Sequence, residues 1–252
     1  ARPPAPMAAA APTSAADAEF RIGTDGEFDA KVLLAHLEAM SEETKDIHWR
    51  PFTLVCAEIT KLVSSMGSVF HFAASDVQHN VGVMCNQYKT FNKEAGEKPG
   101  APGSAEGLGD GVRLTVDYAI AREARDKTSK QNDKKYIAIT FTVRHLLWTL
   151  DFVYATLSRL MATDDAAKAK EMAQIVREAY AESLSQYHGF VLRQTMSAAC
   201  AMLPYRAAFI KSIGSGRPTA ETMATLTKAT ELIRSCKEAV WELYRKRSIV
   251  PE

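Results

Sequence analysis

At 252 residues, 46% of them hydrophobic and 24% charged, the chain is long enough for one large domain or two small ones and has a globular composition. Thirty-one basic residues against 30 acidic ones leave a net charge of +1, which excludes a global field for nucleic acid or an anionic membrane and leaves only local patches to consider. Four cysteines, Cys56, Cys85, Cys200 and Cys236, lack CxxC spacing and read as reduced thiols of a soluble, intracellular protein; no apolar run approaches the ~20 residues that span a bilayer.

In chain order, the opening ARPPAPMAAAAPTSAADAEF is rich in Ala and Pro, and residues 1–22 predict a disordered or extended tail. Without an initiator Met, it reads as the remnant of a cleaved targeting segment or of an added one. Residues 23–252 predict a single domain. From Glu27 onward the apolar residues recur with a helical period almost everywhere, and alternating runs bounded by turn residues are hard to find, so the expected class is all-α. The predicted helices are EFDAKVLLAHLEAMSEE, PFTLVCAEITKLVSSMGSVFHFAASDV, HNVGVMCNQYKTFN, GLGDGVRLTVDYAIARE, DKKYIAITFTVRHLLWTLDFVYATLSRLMA, DDAAKAKEMAQIVREAYAESL, YHGFVLRQTMSAACAML and TAETMATLTKATELIRSCKEAVWELYRKR. Between them, residues 93–111 are dense in Gly and Pro and predict an exposed, mobile loop. Gly214 and Gly216 stop one helix, and Pro218 with Thr219 starts the last. No internal repeat is visible.

Catalytic signatures are missing. There is no Glu-x-x-His pair for a di-metal bundle, no phosphate loop, no Gly-x-Ser-x-Gly elbow, and His71, Asp76 and His79 do not share one helical face. The expectation is a non-enzymatic protein with no metal and no cofactor. Three polar constellations interrupt apolar helices. In FAASDVQHNVGVM, Asp76 and Asn80 stand one turn apart and together offer acceptors and an amide donor to a ligand. Alternatively, Asp76 caps a helix restarting near Val77 and Asn80 faces solvent, which spacing alone favours. In FTVRHLLWTLDFVYATL, Phe141, Arg144, His145, Trp148 and Phe152 recur at three- and four-residue steps, a pattern more typical of core than of a ligand box. In AYAESLSQYHGFVLRQTMSAACAMLP, His188 follows a polar turn and opens another apolar helix.

Read together, FHFAASDVQHN, RHLLWTLDF, AYAESLSQYHGFVLRQ and AMLP resemble, in order and approximate spacing, the glycolipid transfer protein superfamily over residues 27 to 245. The resemblance implies a two-layer helical sandwich of about eight helices that encloses an apolar tunnel and moves single sphingolipids between membranes. Burying hydrocarbon is worth about 0.8 kcal/mol per methylene, so such a carrier needs helices apolar along their length. Carried over residue by residue, the resemblance implies that Asp76 accepts from the lipid amide or a hydroxyl, Asn80 binds headgroup hydroxyls and His188 bonds the amide carbonyl. It also implies that Phe190 enters the membrane interface.

The chain departs from the family in its headgroup residues. Glycolipid-binding members add a Lys where this chain has Val83, and a Trp sugar platform at the position of Phe141, or of Trp148 if the register slips. Phosphate-binding members carry a Lys and two Arg at positions that here read Asn80, Ile137 and Phe141, with Lys134, Lys135 and Arg144 nearby. The expected function is transfer or sensing of sphingolipids with a glycosylated or neutral headgroup. The alternatives are a ceramide-1-phosphate carrier, or a helical scaffold whose lipid site is vestigial. The expected partners are a sphingolipid, a transient membrane surface and, in the scaffold case, other proteins, with no nucleic acid. The expected location is cytoplasmic and peripheral at membranes, with organellar import left open.

Overall fold

Residues 24, 26–41, 47–97, 114–162 and 171–249 are described by a computed structural model. The expected tail over residues 1–22 lies outside them, as do residues 98–111 of the expected loop. Among the described residues there are nine α-helices and no strand: α1 (Ala30–Ser41), α2 (Trp49–Ser65), α3 (His71–Glu97), α4 (Val116–Asp126), α5 (Ile139–Met161), α6 (Met172–Glu182), α7 (Phe190–Cys200), α8 (Arg206–Ile213) and α9 (Thr219–Lys246).

The helix boundaries correct the sequence reading in one place that matters for function. The run predicted as one helix from Pro51 to Val77 breaks instead at Gly67, whose φ of 118° is open to glycine and strained for other residues. A short 3-10 turn, Ser68–Phe70, then redirects the chain into α3. From there the helix continues unbroken through Asp76 and Asn80, so the restart near Val77 does not exist and Asp76 caps nothing. The same helix runs to Glu97, so the first residues of the segment expected to be a loop are helical.

Helix α5 is apolar almost all round, with Ile139, Val143, Leu146, Leu147, Leu150, Val153, Leu157 and Leu160 all buried, and a helix of that kind belongs inside. It packs against α3, α4, α6 and α9. The packing closes on itself, α1 on α2, α2 on α3, α3 on α5, α5 on α9 and α9 on α1, giving a two-layer helical sandwich. Trp49, Phe52, Phe70, Phe91, Phe209 and Tyr244 fill the interior between the layers. None of the described helices is long and apolar enough to cross a membrane.

The start of α5 is held from outside its own sequence. Ala138 offers no side-chain cap, and the fully buried Glu123 on α4 supplies the missing acceptor. Its carboxylate accepts from the Ile139 N–H at 2.5 Å, the Thr140 N–H at 2.8 Å, the Thr140 hydroxyl at 2.6 Å and the Tyr136 hydroxyl at 2.5 Å. A carboxylate at a helix N-terminus satisfies orphan donors and complements the helix dipole. The helix carrying Phe141, Arg144, His145 and Trp148 is thereby fixed at its first turn.

Candidate functional site

Asp76, Trp148 and His188, from α3, α5 and the turn before α7, converge on one cavity of about 310 Å³. Its remaining walls are largely apolar, including Val63, Phe70, Val77, Phe152, Leu192 and Met196. Asp76 is exposed at its mouth and His188 half-buried. Burial pushes the His188 imidazole below the ordinary histidine value, and the Asp76 charge pulls it partly back. The Asp76 carboxylate and the His188 imidazole thus face a largely apolar space. That is the donor and acceptor set for a single polar group on a largely hydrocarbon ligand.

The residues around this pair are positioned by aromatic contacts. The rings of Trp148 and Tyr187 stack with centroids 3.9 Å apart and planes 13° apart, fastening the turn Ser185–Tyr187 and hence His188 to α5. Among the described residues, the buried Trp148 Nε1 has no hydrogen-bond partner. Burial raises the Tyr187 phenol above its ordinary value, with Asp151 adding to the shift. His145 also lines the cavity; its Nδ1 lies 2.9 Å from the Phe141 carbonyl oxygen, which can only accept, so Nδ1 carries the hydrogen and Nε2 is the free ring nitrogen in the neutral form.

Three expected site residues fall elsewhere. Asn80 is 4% exposed, and its Nδ2 donates to the main-chain oxygen of Asp76 at 2.8 Å, so it neither faces solvent nor lines the cavity. Phe141 and Arg144 line a second cavity of about 510 Å³ with Ser129, Lys130, Thr140, Ser248 and Ile249. No carboxylate pairs with Arg144 among the described residues, and its buried Nε has no hydrogen-bond partner. Its guanidinium carbon sits 5.4 Å from the Phe141 ring and 5.4 Å from the Trp148 ring, between the two cavities. The basic residues expected beside it, Lys134 and Lys135, are exposed on a turn and line neither cavity; Lys130 takes that place.

Phe190 is 69% exposed and Val191 77%, directly before the cavity-lining Leu192. Most of α7 faces solvent, only Met196, Ala199 and Cys200 being buried. The sequence reading had not assigned Tyr187, Tyr180 or Lys130 to a site. Only the tyrosines of the AY and YH pairs flanking the predicted turn hinted at them.

Comparison with known proteins agrees with the fold. A family model described as glycolipid transfer protein matches residues 47–215, more than half of the chain. The ceramide-1-phosphate transfer protein of Rattus norvegicus is 21% identical over 228 residues, covering 90% of this chain and 98% of that protein. The crystal structure of apo mouse ceramide-1-phosphate transfer protein superimposes with a TM-score of 0.73 at 19% identity, covering 89% of this chain and 99% of the mouse chain. A structure of FAPP2, a protein that selects simple glycosphingolipids using the same fold, gives 0.63 at 16% identity over 83% of this chain and 90% of that one.

Proposed function

The chain belongs to the glycolipid transfer protein family, and from that premise we propose that it carries single sphingolipids between membranes without chemical change. The observation that carries this reading is the meeting of Asp76 and His188 on one apolar cavity. Asp76 accepts from the amide N–H or a neighbouring hydroxyl of the lipid, and His188 donates to the amide carbonyl. An ester-linked lipid offers no N–H to Asp76, so the pair selects sphingolipids over diacylglycerolipids. The hydrocarbon chains lie along Val77, Phe152, Leu192 and Met196. Each ten methylenes buried there offset about 8 kcal/mol that the same methylenes would cost in water once they left a bilayer.

The headgroup lies toward Arg144, and the favoured headgroup carries phosphate. Arg144 has no carboxylate partner among the described residues and shares its cavity with Lys130, an arrangement suited to charge-assisted bonds to phosphate oxygens. The curated relative from rat is a ceramide-1-phosphate carrier, which points the same way. A second reading, an uncharged glycosyl headgroup, is favoured by the Phe141 ring and the hydroxyl-bearing Ser129, Thr140 and Ser248 on the same wall. Phe190 and Val191 form the membrane contact beside the cavity mouth, which lets a lipid pass from bilayer to protein without crossing water. The setting we infer is cytoplasmic, supported by four free cysteines, three of them buried.

Native mass spectrometry after incubation with mixed vesicles tests the reading. One sphingolipid per chain is the expected retained species, ceramide-1-phosphate ahead of monoglycosylceramide. Retention of glycerophospholipid in preference to both would overturn it.

A further inference from the structure

His188 does not stand alone in the turn that carries it. Its Nδ1 lies 2.9 Å from the hydroxyl of Tyr180, eight residues earlier on α6. Tyr180 is 7% exposed, and among the described residues this is the bond its hydroxyl makes. From this contact we propose that Tyr180 is a positioning residue that locks His188 in the tautomer with hydrogen on Nε2, so that the ring presents a donor to the lipid amide. The proposal rests on the amide reading given under Proposed function and extends it by one residue.

A phenol has one hydrogen, and burial raises the Tyr180 hydroxyl above its ordinary value, so it keeps that hydrogen at neutral pH. With Nδ1 as acceptor, the hydroxyl donates to it and the part-buried pair is satisfied. If Nδ1 carried the hydrogen instead, it would donate to the Tyr180 oxygen and leave the phenolic O–H with no acceptor in a buried place, which is disfavoured. Protonation of both nitrogens is disfavoured as well, because the half-buried imidazole is held below its usual value. The neutral ring with hydrogen on Nε2 remains.

That choice sets the polarity of the site. A carbonyl oxygen only accepts, so it pairs with Nε2–H and is repelled by a bare Nε2 lone pair. Asp76, on the opposite helix of the same cavity, is the complementary acceptor for the amide N–H. Tyr180 thus acts through His188 and touches no ligand; it does not line the cavity. Its ring also lies 5.5 Å from the imidazole at 41°, so Tyr180→Phe removes the hydroxyl and keeps the packing.

The test uses the full chain labelled with ¹⁵N in its histidines, observed by long-range ¹⁵N–¹H correlation at pH 7.5 without lipid, with His188 assigned by its loss in His188→Gln. Wild type is expected to show hydrogen on Nε2 of His188 alone, and Tyr180→Phe a mixture with the Nδ1 form. Hydrogen on Nδ1 in the wild type, or an unchanged pattern in Tyr180→Phe, overturns the lock. In parallel, binding to vesicles containing ceramide-1-phosphate is expected to weaken about three- to tenfold in Tyr180→Phe, the size of one lost hydrogen bond. A changed tautomer with unchanged affinity overturns instead the contact between His188 and the lipid amide. The wild-type spectrum decides the lock even if the variant folds poorly.

Discussion

Trp148 and Tyr187 lie ring on ring, 3.9 Å between centroids, and that stack is the tie between the central helix and the turn that carries His188. Aromatic pairs of this kind are worth about 0.5–1.5 kcal/mol beyond the area they bury. Tyr187→Ala frees the turn, and sphingolipid affinity is expected to fall about tenfold, while Tyr187→Phe keeps the ring and should bind within about twofold of wild type. Equal losses in the two variants, measured by vesicle binding, would show that the hydroxyl matters and the stack does not.

Phe190 sits at the first position of α7 with 69% of its surface in water. Its truncation removes nothing from the core, so Phe190→Ala should leave thermal stability within about 0.5 kcal/mol of wild type. An interfacial Phe contributes roughly 1.5–3 kcal/mol, so vesicle association should weaken by about one to two orders of magnitude, read by sedimentation with liposomes. A large fall in melting temperature with normal vesicle binding would move the docking face elsewhere.

The Glu123 carboxylate is the cap of α5 and is buried with four donors upon it. Glu123→Ala strands those donors, and the expected destabilisation is about 3–5 kcal/mol in chemical denaturation. Because Phe141, Arg144 and Trp148 ride on that helix, lipid affinity should fall with it. Stability within about 1 kcal/mol of wild type would mean that water replaces the carboxylate without loss.

Two histidines, His36 and His188, are held below the ordinary value by burial, each pulled partly back up by an acidic neighbour, Glu58 and Asp76 respectively. The unfolded chain therefore binds protons that the folded chain does not. Stability is full above the unfolded value of about 6.5 and is lost as pH falls through it toward the lower folded values. Thermal melts from about pH 8 to pH 5 should show this decline, and His36→Gln or His188→Gln should each flatten part of it. A melting temperature that rises on acidification through that window would contradict the assignment.

The fold class was legible because the apolar period runs through nearly every segment, and α5 in particular carries too few polar residues to sit anywhere but the interior. Gly67 was not legible as the break, since one glycine in an apolar run announces a turn only once its φ is known. At the site, the family resemblance rather than spacing pointed to Asp76 and His188, and the two line one cavity. Asn80 was misplaced because a four-residue step puts two side chains on one face without saying which of them the neighbouring helix covers. The same limit separated Trp148 from Phe141 and Arg144: along one helix they reach different cavities. Tyr180 and Glu123 act across turns and between helices, at separations no local pattern encodes.

The central claim is that Asp76 and His188 read a lipid amide, and intermembrane transfer of ceramide-1-phosphate against phosphatidic acid tests it most directly. The two lipids share a phosphate monoester headgroup and differ in amide against ester linkage, so the cations near Arg144 cannot tell them apart. Wild type is expected to transfer ceramide-1-phosphate at least tenfold faster. Asp76→Val, a change at an exposed position on the cavity mouth, is expected to abolish that transfer with helical content intact. Equal transfer of both lipids by wild type, or wild-type transfer by Asp76→Val, would contradict the account.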